Sequence, residues 1–154
     1  MDSILSFLGL IYRAGRLAVG EEPVGAAARA HKAYLLLLAS DAADNTVRRA
    51  EHFCQAGKTV LLTAPWTRQE LGGAVGRTAC AMMAVSDVGS AAALAEKLAA
   101  RDPERFGAAR DALVPKAARA KRRRDETRAH KKNVRSGKTS AARKREKREH
   151  DTDR

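Results

Sequence analysis

Few residues of this 154-residue chain stand in patterns that do bond-making chemistry. Asp41 and Asp44 follow an apolar run, the position where many α/β enzymes place catalytic groups. No neighbouring His or Lys completes a constellation, and Asp44-Asn45 reads as a helix N-cap. Leu71-Gly72-Gly73-Ala74-Val75-Gly76 lacks the lysine and hydroxyl of a phosphate-binding loop and reads as a small-residue packing surface with a glycine stop. Ser40, Ser86 and Ser90 have no nucleophile-elbow setting. Cys54 and Cys80 stand alone, and His31, His52, His130 and His150 have no partner at ligand spacing. No enzyme, metal or cofactor is expected.

What remains are residues suited to binding. Glu21 and Glu22 open a small-residue helix, where acidic side chains favour the positive helix end. Carboxylates there can also accept from the N–H donors of a guanine edge. Arg13 and Arg16 flank Gly15 at a turn and can reach phosphate. Residues 1–100 carry ten Lys/Arg and nine Asp/Glu, whereas residues 101–154 carry twenty and nine. The near-neutral part thus bears a strongly basic tail, a footprint of nucleic-acid binding. Lys121-Arg122-Arg123-Arg124 and Arg143-Lys144-Arg145 exceed what solubility requires. No aromatic residue follows Lys116, so the tail's affinity would come from counterion release rather than base stacking.

The elements that must position these residues alternate between two periods. Ile4, Leu8 and Ile11, with Leu5 and Tyr12, mark a helix, followed by a short strand at 17–19. A helix over 21–31 leads to an apolar strand at 34–39, buried on both faces. A helix over 45–55 buries Val47, Ala50, Phe53 and Cys54, and a strand follows at 59–63. Thr67-Arg68-Gln69-Glu70 is a capping box for a helix ending near Gly76. A strand at 81–85 and a helix at 90–100 complete the pattern. The expected fold is α/β, a three-layer α/β/α sandwich with a small mixed sheet. The domain is expected to span residues 1–100. Pro103 and Pro115 are expected to interrupt any helix in a disordered basic tail over 101–154. No run is long and apolar enough to span a membrane, and a soluble, cytoplasmic monomer is expected.

Residues 4–98 resemble a known family through LGLIYRAGRLAVGEE, ARAHKAYLLLLASDAADNT, KTVLLTAPWTRQELGGAVGR and AVSD. They are similar to the bacterial YlxQ-like branch of the ribosomal L-seven-Ae superfamily, α/β/α sandwiches that bind RNA, often at kink-turns. The resemblance implies an RNA surface across the helix start near Gly20, the loops after the strands and the loop after the helix at Leu71. It implies Gly20 as the helix-opening glycine, Glu22 at an asparagine-like position and Arg68 as a phosphate contact. Val47 would pack near an extruded base, and Arg77 would sit in the loop closing over the RNA. The chain departs from kink-turn readers at Pro23, where they have glutamate, and at Ala26, where they have lysine. Ala43 and Gly73 likewise replace polar and basic residues.

The expected function is therefore recognition of structured RNA, ribosomal or kink-turn-like. Arg16, Gly20, Glu21, Glu22, Val47, Arg68 and Arg77 are the candidate contacts in the domain, and Lys121, Arg122, Arg123 and Arg124 those in the tail. Expected partners are RNA and ribosomal proteins. The alternative class is a protein-interaction module that docks on ribosomal or assembly proteins, favoured by Pro23 and Ala26.

Overall fold

The computed structural model describes residues 2–135. Helix α1 (Ser3–Arg13) is capped by Asp2, whose carboxylate accepts from the Ile4 N–H at 2.8 Å. It leads through the left-handed Gly15 (φ 74°) to β1 (Leu17–Val19). Then follow α2 (Glu21–Arg29), β2 (Leu35–Leu38), α3 (Asp44–Gly57), β3 (Val60–Thr63) and α4 (Arg68–Ala74). Strand β4 (Met82–Val85) precedes α5 (Val88–Arg101) and α6 (Pro103–Arg135). The chain divides into two compact units, one ending at Ala117 and the other beginning at Ala118.

The first unit is the α/β sandwich. Its sheet has the order β1-β4-β2-β3. β2 pairs parallel with β3, whereas β4 runs antiparallel to both β1 and β2. All four residues of β2 are buried, because its register sets Leu35 between Val60 and Val85 with helices over both faces. Side-chain alternation divides the core accordingly. Leu35, Leu37, Met83 and Val85 pack with α1, α4 and α5, while Leu36, Leu38, Met82 and Ala84 pack with Val24 and Ala28 of α2 and Ala50 and Cys54 of α3. Burying each large aliphatic side chain contributes roughly 1.5–3 kcal/mol.

The strands and the capping box lie where the sequence pattern put them, within a residue or two. Thr67 Oγ1 accepts from the Glu70 N–H and Glu70 returns the bond, both at 3.2 Å. Three expectations change. The N-cap of α3 is Ala43, so Asp44 acts in the first turn rather than as the cap. Helix α5 starts earlier than expected because Asp87 caps it, accepting from the Ser90 N–H at 3.0 Å. The third change is the largest. Phe106, Ala109 and Leu113 are buried in the core, so the packed unit extends past residue 100 to Ala117.

Neither proline breaks α6. Pro103 occupies the first helical position, where its missing N–H would be unpaired anyway. Pro115 lies inside the helix, at a cost of about 3 kcal/mol for an average site. Contacts on both sides oppose that cost: Leu113 is buried, and Lys116 Nζ lies 5.7 Å from the Tyr34 ring centroid. The described part of the second unit, to Arg135, is helical, as its Ala-, Arg-, Lys- and Glu-rich composition favours. Residues 136–154, which include the Arg143-Lys144-Arg145 cluster expected to be disordered, lie outside the described residues.

Candidate nucleic-acid interface

Strand direction decides what meets what. β1, β2 and β3 run the same way, so the segments that leave them emerge at one end of the sheet, where β4 begins. Those segments open α2, α3 and α4. One end of the sheet therefore carries three helix N-termini, whose unpaired N–H groups and dipoles favour anions. The opposite end receives the C-termini of α1, α2 and α3.

Gly20 lies at the first end, at the exit of the edge strand β1. Its backbone (φ 94°, ψ 164°) is in a region reserved almost entirely for glycine. The Met82 carbonyl pins it, accepting from the Gly20 N–H at 3.1 Å and from the Cys80 thiol at 3.0 Å. Burial raises the Cys80 pKa, opposed by the Gly20 N–H and by the Arg77 charge. The thiol is thus a neutral packing group. Arg77 comes close as well: a Cβ on Gly20 would be 4.0 Å from Arg77 Nη1. This guanidinium arrives through the turn at Gly72 and Gly76. Gly76 is left-handed (φ 72°), and a Cβ on Gly72 would be 2.7 Å from the Ala79 Cα. The glycine-rich stretch therefore serves to fold the Arg77 loop against the start of α2.

The other candidates at this end differ in how their charge is held. The Arg68 side chain pairs with Asp41 (Nε to Oδ2, 3.6 Å), and its backbone N–H donates to the same carboxylate at 2.8 Å. Asp41, at the exit of β2, thus holds the start of α4 in place. Glu21 pairs with Arg49 of α3 at 2.7 Å. Both pairs are solvent-exposed and contribute at most about 1 kcal/mol to stability. Their charges can be re-paired by a ligand at small cost. Glu22 and Arg77 are exposed and form no ion pair among the described residues. Val47 is half-buried against the α2–α3 core.

Arg16 does not join this group. It precedes β1, at the opposite end of the sheet, and its side chain is 3.5 Å from Asp87. Lys121, Arg122, Arg123 and Arg124 are exposed residues of α6 in the second unit. Arg105 was not anticipated. Its guanidinium donates to the Thr63 carbonyl at 3.0 Å, which adds a cation at the exit of β3. The sequence signal for it was weak, because the apolar spacing of Phe106 and Leu113 had to be read as a core-facing helix first. At the same end Arg101 binds both carboxylate oxygens of Asp2, and this holds the Asp2 carboxyl down at about 2.

The sequence model of the ribosomal protein L7Ae/L30e/S12e/Gadd45 family matches residues 2–95. The chain belongs to that family. Its members are ribosomal and RNA-binding proteins. A solved structure described as a protein with unknown function from Bacillus halodurans is similar at 32% identity, with a TM-score of 0.58. The match covers 62% of this chain and 96% of that one. A comparison with curated proteins gives no match. The family match ends before α6, so the helix that completes the core and the basic unit beyond it lie outside it.

Among the described residues no helix is long and apolar enough to cross a membrane. They also contain no group of three or more His, Cys, Asp or Glu residues able to hold a metal ion.

Proposed function

We propose that this protein binds structured RNA at the Gly20 end of its sheet, as a bacterial, cytoplasmic, YlxQ-like member of its family. The RNA is ribosomal or kink-turn-like. The observation that carries this reading is the position of Arg77 beside the open start of α2, at the end of the sheet that also carries the N-termini of α3 and α4. Backbone N–H groups and exposed guanidiniums are the donors that phosphates need. Pro23 and Ala26 offer no polar side chain to the RNA, which leaves Glu22 as the reading side chain in the first turns of α2. Contact then rests on the Gly20 backbone, Glu22, Arg68 and Arg77, with Val47 as an apolar surface for a base. Lys121, Arg122, Arg123 and Arg124 add sequence-independent affinity.

The test is fluorescence anisotropy with a kink-turn-containing RNA and an unstructured strand of equal length. Arg68→Glu combined with Arg77→Glu should weaken binding to the folded RNA roughly tenfold or more per charge. Removing residues 118–154 should weaken binding to both RNAs and flatten the salt dependence. Unchanged binding to the folded RNA by the double variant would reject the site.

A further inference from the structure

In the second unit no residue from Ala118 to Val134 is buried. Helical spacing nevertheless sorts its cations into two groups. Lys121, Arg124, Arg128, Lys131 and Lys132 recur at intervals of three and four residues, so they share one face of α6 within a sector about 100° wide. Arg119, Arg122 and Arg123 lie on another side, with Glu126 among them, and these four line one small hollow. Ala118 and Ala129 fall on one border between the groups, and Ala120 and Thr127 on the other. The run Lys121-Arg122-Arg123-Arg124, continuous in sequence, is therefore divided in space.

The first group is the less neutralised. Asp125 stands at its edge, beside Lys121, Arg124 and Arg128. Yet Lys121, Arg124, Arg128 and Lys131 form no ion pair among the described residues. The pairs Lys121–Arg124 and Arg124–Arg128 repel each other across one turn and weaken the helix. A helix arranged only for stability in water would alternate the signs of its charges along this face. A row of anions laid along it removes the repulsion.

The dimensions suit a nucleic-acid backbone. From Lys121 to Lys132 the face is about 16 Å long, enough to pass on the order of five phosphates of one duplex strand. The helix has no aromatic residue from Lys116 onward, so it offers no platform on which unpaired bases could stack. A partner whose bases are already stacked and paired needs none, and double-stranded RNA is recognised through its shape, phosphates and 2′-hydroxyls.

We propose that the Lys121–Lys132 face of α6 is a track for the phosphate backbone of a base-paired RNA arm, and that Arg119, Arg122 and Arg123 lie off that track. The inference rests on the reading of this chain as an RNA-binding protein, but not on the site at Gly20.

Two variants of the full chain with equal loss of charge test it. One combines Lys121→Gln, Arg124→Gln and Arg128→Gln; the other combines Arg119→Gln, Arg122→Gln and Arg123→Gln. Glutamine keeps the helix propensity, and circular dichroism checks that both variants retain helix. Each is titrated with a blunt RNA duplex free of bulges and loops, with the DNA duplex of the same sequence, and with one RNA strand alone. The first variant should bind the RNA duplex on the order of tenfold more weakly and lower its salt slope by about two, whereas the second should change affinity by less than about threefold. Equal losses from the two variants, or none from either, would overturn the track. A loss on the single strand as large as on the duplex would overturn the base-paired partner, and a loss on the DNA duplex alone would overturn RNA. Equal losses on the RNA and DNA duplexes would uphold the track as one that meets phosphates and ignores the sugar. The Gly20 site fails separately, if the Arg68/Arg77 double variant keeps full affinity for the kink-turn RNA.

Discussion

The two ends of the sheet carry cations for opposite reasons. At the Lys58 end, Arg13, Arg29 and Lys58 lie in or next to the last turns of α1, α2 and α3. Cations there answer the negative ends of helices, each contributing roughly 0.3–1 kcal/mol, so their charge is largely spoken for. At the Gly20 end the helix N-termini already favour anions. Yet Asp2, Glu21, Asp41 and Asp44 occupy them, and three of these are paired with Arg101, Arg49 and Arg68. Arg77 has no such partner among the described residues. On the proposed reading, the end with the more mixed charge is the one that takes phosphate.

Gly20→Ala is the strongest way to break this contrast. Its Cβ would meet nothing closer than 3.9 Å, so the penalty comes from the backbone rather than from a clash. A non-glycine residue in this region costs about 1–3 kcal/mol. Denaturant unfolding should report that loss. RNA affinity should fall as well, because relaxing φ rotates the start of α2 away from the Arg77 loop. A variant of unchanged stability would mean that the positive φ is not needed to open α2.

Reversing charge at the other end should do much less. Lys32→Glu combined with Lys58→Glu changes the net charge by as much as the Arg68/Arg77 reversal does. At 0.15 M salt its effect on RNA binding should stay within about threefold, since charges beyond a Debye length of about 8 Å are screened. Equal losses for the two pairs in the anisotropy assay would show that binding follows net charge, not position.

How much of this was legible beforehand depends on the type of signal. The all-leucine strand, the Thr67–Glu70 capping box and the period of α1 are local patterns, and they map directly onto the structure. Where Arg16 lies relative to Gly20 was not legible, because the three-residue strand between them carries the two to opposite ends of the sheet. Helix α6 was missed because Pro103 and Pro115 were weighed as breakers, whereas Pro103 sits at the one helical position that tolerates it and Pro115 is offset by tertiary contacts. The approach of Arg77 to Gly20 follows from a close contact at Gly72 that no period records.

The smallest expected effect is also the most selective for the comparison. Lys58 ends α3 in the left-handed conformation (φ 53°, ψ 43°), where glycine is the usual residue. Its N–H donates to the Cys54 carbonyl and closes the helix whatever the side chain is. Lys58→Gly relieves the steric cost of a Cβ there but makes the unfolded chain more flexible and removes a charge that favours the helix end. The first effect should prevail by roughly 0.5 kcal/mol, because the side chain is exposed and makes no ion pair among the described residues. Urea denaturation should show a small rise in midpoint with no change in slope. If the same variant also lost RNA affinity, the strained lysine at this end would be a contact after all, and the division between the two ends would have to be redrawn.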